Sequence, residues 1–235
     1  TWLSWIDIPG SCTTIGDYAF ANTDTVVGVV ITDTDTIGKY AFYQGKVLNY
    51  AEISACDTID DYAFAENLVM KRVEIDSVMN INDYAFFDDI AINDLYIDAD
   101  LYHIGEHAFD SCKSIPKVVL PETVREIGAY AFYDCNSMVT INVPVGVTAI
   151  NNHTFFGCAS LTGLEVPNTV VSIGDYAYYG CVVAKYLNLS NNVRSIGAYA
   201  FYNCNQIKEI NLPDTLRSIG NYAFRSCSSL TSVTI

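Results

Sequence analysis

Residues 15–20 read IGDYAF, and close variants of this hexapeptide return nine more times along the chain. The interval between successive copies is 22 for the first three steps and 23 for each of the next six. A near-constant interval of this kind is the sequence signature of a repeat protein. We therefore predict a single solenoid of ten repeats over residues 1–235, without a second domain. The copies end at Phe20, Phe42, Phe64, Phe86, Phe109, Phe132, Phe155, Tyr178, Phe201 and Phe224.

One full repeat predicts two extended segments separated by a corner. After Cys158, apolar residues stand at +3, +6 and +8, and the last two have the spacing of a strand with one inward face. Proline often follows at +9, where it ends the strand because it has no N–H for the ladder. A second extended piece ends at the Ile of the hexapeptide. The next residue, usually Gly, predicts a tight turn that could carry a positive φ, and the aromatic segment after it predicts a short 3₁₀ or helical turn.

The length of the repeat indicates the architecture. Helix–turn–helix repeats need more than about 30 residues, whereas a period of 20–29 with an apolar strand is typical of leucine-rich repeats. The predicted fold is a right-handed leucine-rich-repeat superhelix. It has a concave parallel sheet of about 11 strands, with short strands or 3₁₀ turns on the other side. Since no repeat can bury its own apolar face, stacked copies must share one core.

Two side-chain columns repeat with the hexapeptide. Its fourth position holds Tyr eight times and His twice, at His107 and His153, which predicts a ladder of stacked rings. Three positions after the final aromatic, a cysteine recurs in each of the later repeats. Equivalent residues on neighbouring strands lie about 4.7–4.9 Å apart with parallel Cβ vectors, whereas a disulfide needs converging Cβ atoms about 3.8 Å apart. We therefore predict buried free thiols at Cys112, Cys135, Cys158, Cys181, Cys204 and Cys227.

Charge divides the chain into two sub-arrays. Residues 1–111 carry 20 acids and 4 bases (−16), and residues 112–235 carry 7 acids and 8 bases (+1), which together give the net charge of −15. The acidic sub-array has the 22-residue period, and the near-neutral one has the 23-residue period and the cysteines. This charge disfavours nucleic acid and anionic membranes as partners. Acid pairs such as Asp33/Asp35 and Asp98/Asp100 could bind Ca²⁺, but no calcium-loop spacing repeats, and solvation is the alternative.

The ends of the chain and its apolar runs add two expectations. The chain begins inside a predicted strand at residues 2–8 and ends inside another at residues 233–235, with no polar cap at either end. We therefore expect a segment of a longer protein. No apolar run reaches the ~18 residues of a membrane helix, so we expect no membrane insertion by this segment.

Catalytic patterns are weak in this sequence. The string HIGEH at residues 103–107 matches the H-x-x-E-H pattern of some metallopeptidases. That pattern needs a helix that places both histidines on one face, whereas Ile104 and Gly105 belong to the turn of the repeat. No phosphate-binding glycine loop or nucleophile elbow is present. We predict a protein that is not an enzyme and that has no cofactor and no metal site.

The iterated signature I-G-x-Y-A-F-x-x-C-x-x-L-x-x-I-x-I-P resembles the BspA-like leucine-rich repeat family over essentially the whole chain. The resemblance implies a secreted or cell-surface protein of bacteria or parasitic protozoa, whose signal and anchor lie outside this segment. It further implies adhesion to host proteins, including those of the extracellular matrix, or to other cells.

Recognition is predicted at the variable outward positions of the strands, because the repeated columns build the scaffold. These positions hold acids, amides, aromatics and two basic residues, a mixture that suits a protein or glycan ligand. The alternative is a passive, rigid spacer that presents other domains. The candidate binding residues are Trp5, Asp7, Tyr50, Glu52, Arg72, Glu74, Asp94, Tyr96, Lys117, Glu165, Tyr186, Asn188 and Glu209.

Overall fold

A computed structural model describes residues 4–98 and 100–235. Trp2 and Leu3, with which the first predicted strand begins, lie outside the described residues. Within the described ranges the chain forms a parallel-strand β-solenoid of about ten turns, and none of these residues is helical. We call each turn of the solenoid a rung. The predicted solenoid architecture is confirmed.

The strands are short in most rungs and long in three of them. In chain order they are β1 (Trp5–Ile8), β2 (Thr14–Ile15), β3 (Gly28–Ile37), β4 (Tyr50–Ile59), β5 (Arg72–Ile81), β6 (Asp94–Ile97), β7 (His103–Ile104), β8 (Lys117–Val118), β9 (Glu126–Ile127), β10 (Thr140–Ile141), β11 (Ala149–Ile150), β12 (Leu164–Glu165), β13 (Ser172–Ile173), β14 (Leu187–Asn188), β15 (Ser195–Ile196), β16 (Glu209–Asn211), β17 (Ser218–Ile219) and β18 (Ser232–Thr234).

These strands form two columns of parallel pairs. In the first column, β1 pairs with β3, and the same column continues through the later rungs to β16 and β18. In the second column, the isoleucines of successive hexapeptides pair directly, as Ile15 does with Ile37 and Ile81 with Ile104. Each hexapeptide therefore stacks on the next one at both the shorter and the longer interval.

The corner between the two columns differs between rungs. Where Pro121 or Pro144 occupies it, the rung has two separate short strands. The rungs of β3, β4 and β5 have no corner proline and contain continuous ten-residue strands. The rungs with Asp98 and Ser190 at the corner also lack proline, and yet each has two short strands. Each long strand bends at one left-handed residue: Asp33 (φ 56°), Ala55 (φ 51°) or Ser77 (φ 53°). The three long strands are those of the 22-residue intervals, so the shorter interval distinguishes them and the absence of proline alone does not.

The aromatic segment is a series of separate turns and forms no continuous 3₁₀ helix. Single i→i+3 bonds are present, such as Ala19 N to Gly16 O and Ala21 N to Tyr18 O, both 3.2 Å. All ten Tyr or His residues at the fourth hexapeptide position have a positive φ of 55–60°, and this left-handed residue interrupts each turn. The residue four positions later is also left-handed in every rung, and there Asn, Asp and Gly are common.

The glycine of the hexapeptide does not have a positive φ, so that expectation was wrong. Its role is to allow adjacent rungs to approach closely. A Cβ on Gly128 would lie 2.5 Å from the carbonyl carbon of Gly105 and 2.6 Å from the backbone nitrogen of Glu106. At Gly128, contact between backbones therefore leaves no room for a side chain, whereas Asp60, Asn82 and Asn151 occupy the same position in other rungs.

The core contains a ladder of stacked rings beside a ladder of thiols. Rings at the last hexapeptide position stack with centroids 4.9–5.9 Å apart. The six thiols of the predicted cysteine column are buried and unbridged, which confirms the prediction. Each Sγ also donates to the carbonyl of the core aromatic one rung earlier, as Cys135 does to Phe109 O at 3.2 Å. Burial raises the pKa of Cys135 well above its usual value.

Candidate functional site

The candidate surface, which we call the strand face, consists of the outward side chains of the first strand column. Inward and outward positions alternate, as β5 shows with exposed Arg72, buried Val73, half-buried Glu74 and buried Ile75. The structure places all thirteen candidate residues outward: Tyr50, Glu52 and Glu74 are half-buried and the other ten are exposed. Their role in binding stays a prediction.

At the start of the strand face, two aromatic rings meet across a glycine. Trp5 and Tyr50 lie two rungs apart, and their ring centroids are 5.6 Å from each other. The Trp5 ring leans over Gly28, where an added Cβ would lie 2.7 Å from it. Glycine inside a strand often marks such a close approach. The contact leaves Trp5 53% exposed, so much of this large aromatic surface faces solvent.

Carboxylates fix the polar end of Tyr50. Its hydroxyl donates to Glu52 Oε2 at 2.7 Å and lies 3.2 Å from Glu74 Oε1. Burial, followed by the hydrogen bond to Glu52, raises the pKa of Tyr50. In the same rung as Glu74, Arg72 Nε donates to Glu74 Oε1 at 2.6 Å, and Arg72 Nη1 lies 3.4 Å from Asp94 Oδ2. These five side chains form one connected polar group.

A cleft follows in the near-neutral sub-array, with a volume of about 330 Å³. Lys117 lies at one end and pairs in register with Thr140. The Tyr186 ring lies over Gly163, where it would collide with any added Cβ. Glu165 lines the same cleft. The cleft therefore combines an ammonium group, hydroxyls, a carboxylate and an aromatic ring.

A second opening, of about 490 Å³, adjoins the cleft at Lys117. Its other lining residues include Tyr96, Asp94 and Val119. It coincides with an interruption of the strand ladder, because β6 pairs with β5 and has no paired partner among the described residues on its β8 side. Lys117 thus borders both openings, between the exposed side chains of Tyr96 and Tyr186.

The remaining candidate residues lie away from these groups or support them. Asn188 Nδ2 donates to both carboxylate oxygens of Glu165, at 2.9 and 3.0 Å. Glu209 is exposed beyond the cleft. Asp7 lies in the first rung, five rungs before Lys117, or roughly 24 Å at the usual interstrand spacing. The strand face therefore contains two groups of candidate residues.

Sequence reasoning missed Gly28, Thr140 and Gly163 as part of these groups. The signal was present for the glycines, since each occupies an outward strand position next to an aromatic residue of the same column. Thr140 gave no signal of its own, because its importance depends on its place between Lys117 and the tilted ring of Tyr186.

The histidines of the HIGEH string do not converge. His103 Nδ1 lies 3.3 Å from Glu126 Oε2, whereas His107 Nδ1 lies 2.6 Å from Asp110 Oδ2. The His107 ring stacks between Tyr84 and Tyr130. In residues 4–98 and 100–235, no three His, Cys, Asp or Glu side chains are arranged to hold a metal ion. No helix long and apolar enough to span a membrane occurs in these ranges either.

Comparison with known families gives a match over the whole chain. The model of the BspA type leucine rich repeat region matches in six copies, over residues 1–115, 79–185 and 148–235. A search of curated proteins finds no match.

Several solved structures share the fold. A leucine-rich repeat protein from Bacteroides ovatus is 22% identical, with a TM-score of 0.74 over 98% of this chain and 63% of that one. The pneumococcal vaccine antigen PcpA is 18% identical, with a TM-score of 0.65 over 98% of this chain and 71% of that one. A leucine-rich repeat protein from Eubacterium ventriosum is 17% identical, with a TM-score of 0.59 over 97% of this chain and 83% of that one. The likeness at these identities concerns the fold.

Proposed function

Since the chain belongs to the BspA-type leucine-rich repeat family, we propose that it is a non-catalytic binding module that recognises protein or glycan ligands through its strand face. The family likeness supports a secreted or cell-surface location, with a host protein, an extracellular-matrix protein or a cell-surface glycan as the partner. The chain spans 63% of the length of the Bacteroides ovatus protein, so these proposals concern the segment.

One contrast carries the proposal. The Ile, Ala, Phe and Cys columns that repeat along the chain are buried almost throughout and build the core. The strand face varies from rung to rung and exposes large rings, with Trp5 53%, Tyr96 52% and Tyr186 47% exposed. Exposed aromatic side chains are the type of anchor that dominates binding energy in interfaces. Variable residues on a rigid scaffold are the arrangement that repeat proteins use for recognition.

The test measures binding of the chain to immobilised extracellular-matrix proteins and to epithelial cells. Tyr50→Ala, Arg72→Ala, Tyr96→Ala and Tyr186→Ala are compared with the unaltered chain. Tyr102→Ala is the matched control, because Tyr102 is 47% exposed and lies outside the first strand column. We expect strand-face variants to lose binding and Tyr102→Ala to retain it. Absence of binding, or binding that all variants share, would favour the passive spacer.

A further inference from the structure

The cleft between Lys117 and Tyr186 is one rung wide. Lys117 and Thr140 are register partners, and Gly163 and Tyr186 continue the same row in the next two rungs. The Tyr186 ring leans back over Gly163 towards Thr140. The small Thr140 side chain is therefore the floor between an ammonium wall and an aromatic wall. Glu165 lies in the neighbouring outward row, on the Tyr186 side.

The polar groups of the cleft are free where a ligand would need them. In the described part of the chain, the Lys117 ammonium and the Thr140 and Tyr186 hydroxyls have no hydrogen bond or ion pair. The groups around them are fixed. Asn142 donates to Leu120 O and accepts from Leu120 N, both at 2.8 Å, and Asn188 holds Glu165. The cleft thus offers free donors on a support that is already ordered.

The charges of the cleft are asymmetric. Lys117 supplies a positive charge at one end, and Glu165 supplies a negative charge and hydrogen-bond acceptors at the other. A matching ligand has an anionic group at one end and hydroxyl donors at the other, with an apolar ring face for Tyr186. The surrounding sub-array of residues 112–235 is nearly neutral (7 acids, 8 bases), so it does not repel one negative charge. The acidic sub-array repels polyanions.

We propose that this cleft binds a single carboxylated sugar residue of the uronic or sialic acid type. This rests on the proposed function and deepens it. The sugar carboxylate pairs with Lys117 and Thr140 Oγ1, its hydroxyls donate to Glu165, and one ring face packs on Tyr186. A volume of about 330 Å³ is at the small end of ligand sites, which fits one sugar residue. An acidic peptide would satisfy Lys117 but would bring no hydroxyls to Glu165.

The test follows the backbone amide NMR signals of Lys117, Thr140 and Gly163 during titration. The probes are methyl glucuronide and N-acetylneuraminic acid, with methyl glucoside as the neutral sugar and N-acetyl-aspartyl-glutamate as the acidic peptide. We expect the two acidic sugars to shift these signals. A charge-assisted hydrogen bond supports a loss of about tenfold in affinity for Lys117→Ala. Lys113→Ala, an exposed lysine outside the first strand column, should leave the affinity unchanged.

A second variant separates a sugar from a simple anion. Glu165→Gln removes the negative charge of this side chain. The amide oxygen that remains is a weaker hydrogen-bond acceptor for the hydroxyl groups of a sugar. The acidic sugars should bind Glu165→Gln more weakly than the unaltered chain, whereas a bare anion would bind it more tightly. Equal binding of methyl glucoside, tighter binding of the acidic peptide, or unchanged affinity in Lys117→Ala would overturn the proposal. If no sugar binds but strand-face variants still abolish binding to matrix or cells, this inference fails and the proposed function stands.

Discussion

The backbone N–H of Asn67 donates to Oδ1 of Asp89 across one rung, at 2.6 Å, while Oδ2 of the same carboxyl is buried without a hydrogen-bond partner. Asp89 occupies the column that holds cysteine in later rungs, where each thiol donates to the carbonyl of the core aromatic one rung earlier. Asn67 follows that pattern, donating from Nδ2 to Phe42 O at 3.0 Å. Asp89 can follow it only when protonated, and burial raises the pKa of Asp89 well above its usual value.

We predict that Asp89→Asn stabilises the protein at neutral pH, by about 1–3 kcal/mol, because the amide supplies the missing donor without a proton. The folded-state pKa of Asp89 is raised above the unfolded value of about 4. Its contribution to stability is therefore complete below that value and is lost as the pH rises through the folded pKa. Urea unfolding between pH 4 and pH 8 should show an advantage of Asp89→Asn that grows with pH.

Asp88→Asn provides the control for that series. Asp88 and Glu66 are nearby carboxylates that also raise the pKa of Asp89, but Asp88 is only half-buried. Its substitution should change stability much less than Asp89→Asn does. A pH profile of Asp89→Asn parallel to that of the unaltered chain would contradict the prediction.

The aromatic column yields a second prediction, at His153. This ring stacks between Tyr130 and Tyr176, and its buried Nδ1 has no partner. Burial lowers the pKa of His153. The stability contributed by a histidine of lowered pKa is present above the unfolded value of about 6.5 and is lost as the pH falls towards the folded value. We expect His153→Tyr to be stabilising, with a gain that increases from pH 7 to pH 5 in thermal unfolding.

We expect His107→Tyr to destabilise the protein, although it places tyrosine in the same column as the stabilising His153→Tyr does. Substitution removes the 2.6 Å contact of His107 Nδ1 with Asp110 Oδ2 and leaves the buried Asp110 carboxyl with one partner fewer. An under-satisfied buried carboxyl costs about 1–3 kcal/mol. Equal unfolding temperatures of His107→Tyr and His153→Tyr would refute the assignment of different roles to the two histidines.

The hexapeptide glycines give a third prediction. A Cβ on Gly128 would lie 2.5 Å from the carbonyl carbon of Gly105, a backbone atom of the preceding rung, whereas a Cβ on Gly16 would meet nothing within 4 Å. We expect Gly128→Ala to lower the free energy of unfolding by about 1–3 kcal/mol or more, because the added methyl group overpacks the contact between rungs. Gly16→Ala should leave the free energy of unfolding nearly unchanged. The midpoints of urea unfolding compare the two directly, and a neutral Gly128→Ala would show that adjacent rungs can separate without cost.

Sequence reasoning recovered the features that follow from the period. Register, inward columns and the unbridged thiols all depend on equivalent residues stacking, and the interval between hexapeptides contains that information. The left-handed tyrosines were missed because their φ is set by bonds between rungs. Tyr40 N donates to Asp61 O and Phe42 N donates to Ala63 O, at 3.1 and 2.7 Å. A repeat considered alone has no such partners.

The candidate site was predictable only in part. Alternation of inward and outward residues placed all thirteen candidates correctly on the strand face. It could not show that Tyr186 tilts over Gly163, nor that β6 and β8 lie side by side without strand pairing. The tilt depends on contacts between side chains of neighbouring rungs, and these contacts differ at every step of the array. The division of the candidate residues into two groups on the strand face could therefore be recognised only in the structure.

The thiol ladder leads to a fourth prediction, on the order in which cysteines react. Burial raises the pKa of Cys112, Cys135, Cys158 and Cys181 well above the usual value, and the thiolate is the reactive form. Cys12 is partly exposed. Under native conditions we expect iodoacetamide to modify Cys12 first, as mass spectrometry of digested protein would show. Cys227, at the last rung and 9% exposed, should follow.

The inner thiols should react only when rungs open, because each donates to a carbonyl inside the stack, as Cys158 does to Phe132 O at 3.2 Å. Their modification rate in increasing urea should therefore rise together with global unfolding. Modification in denaturant of all eight cysteines verifies that none is bridged or blocked. Rapid native labelling of Cys135 or Cys158 would mean that the rungs of the near-neutral sub-array open locally, and the stack would then not be the continuous core described above.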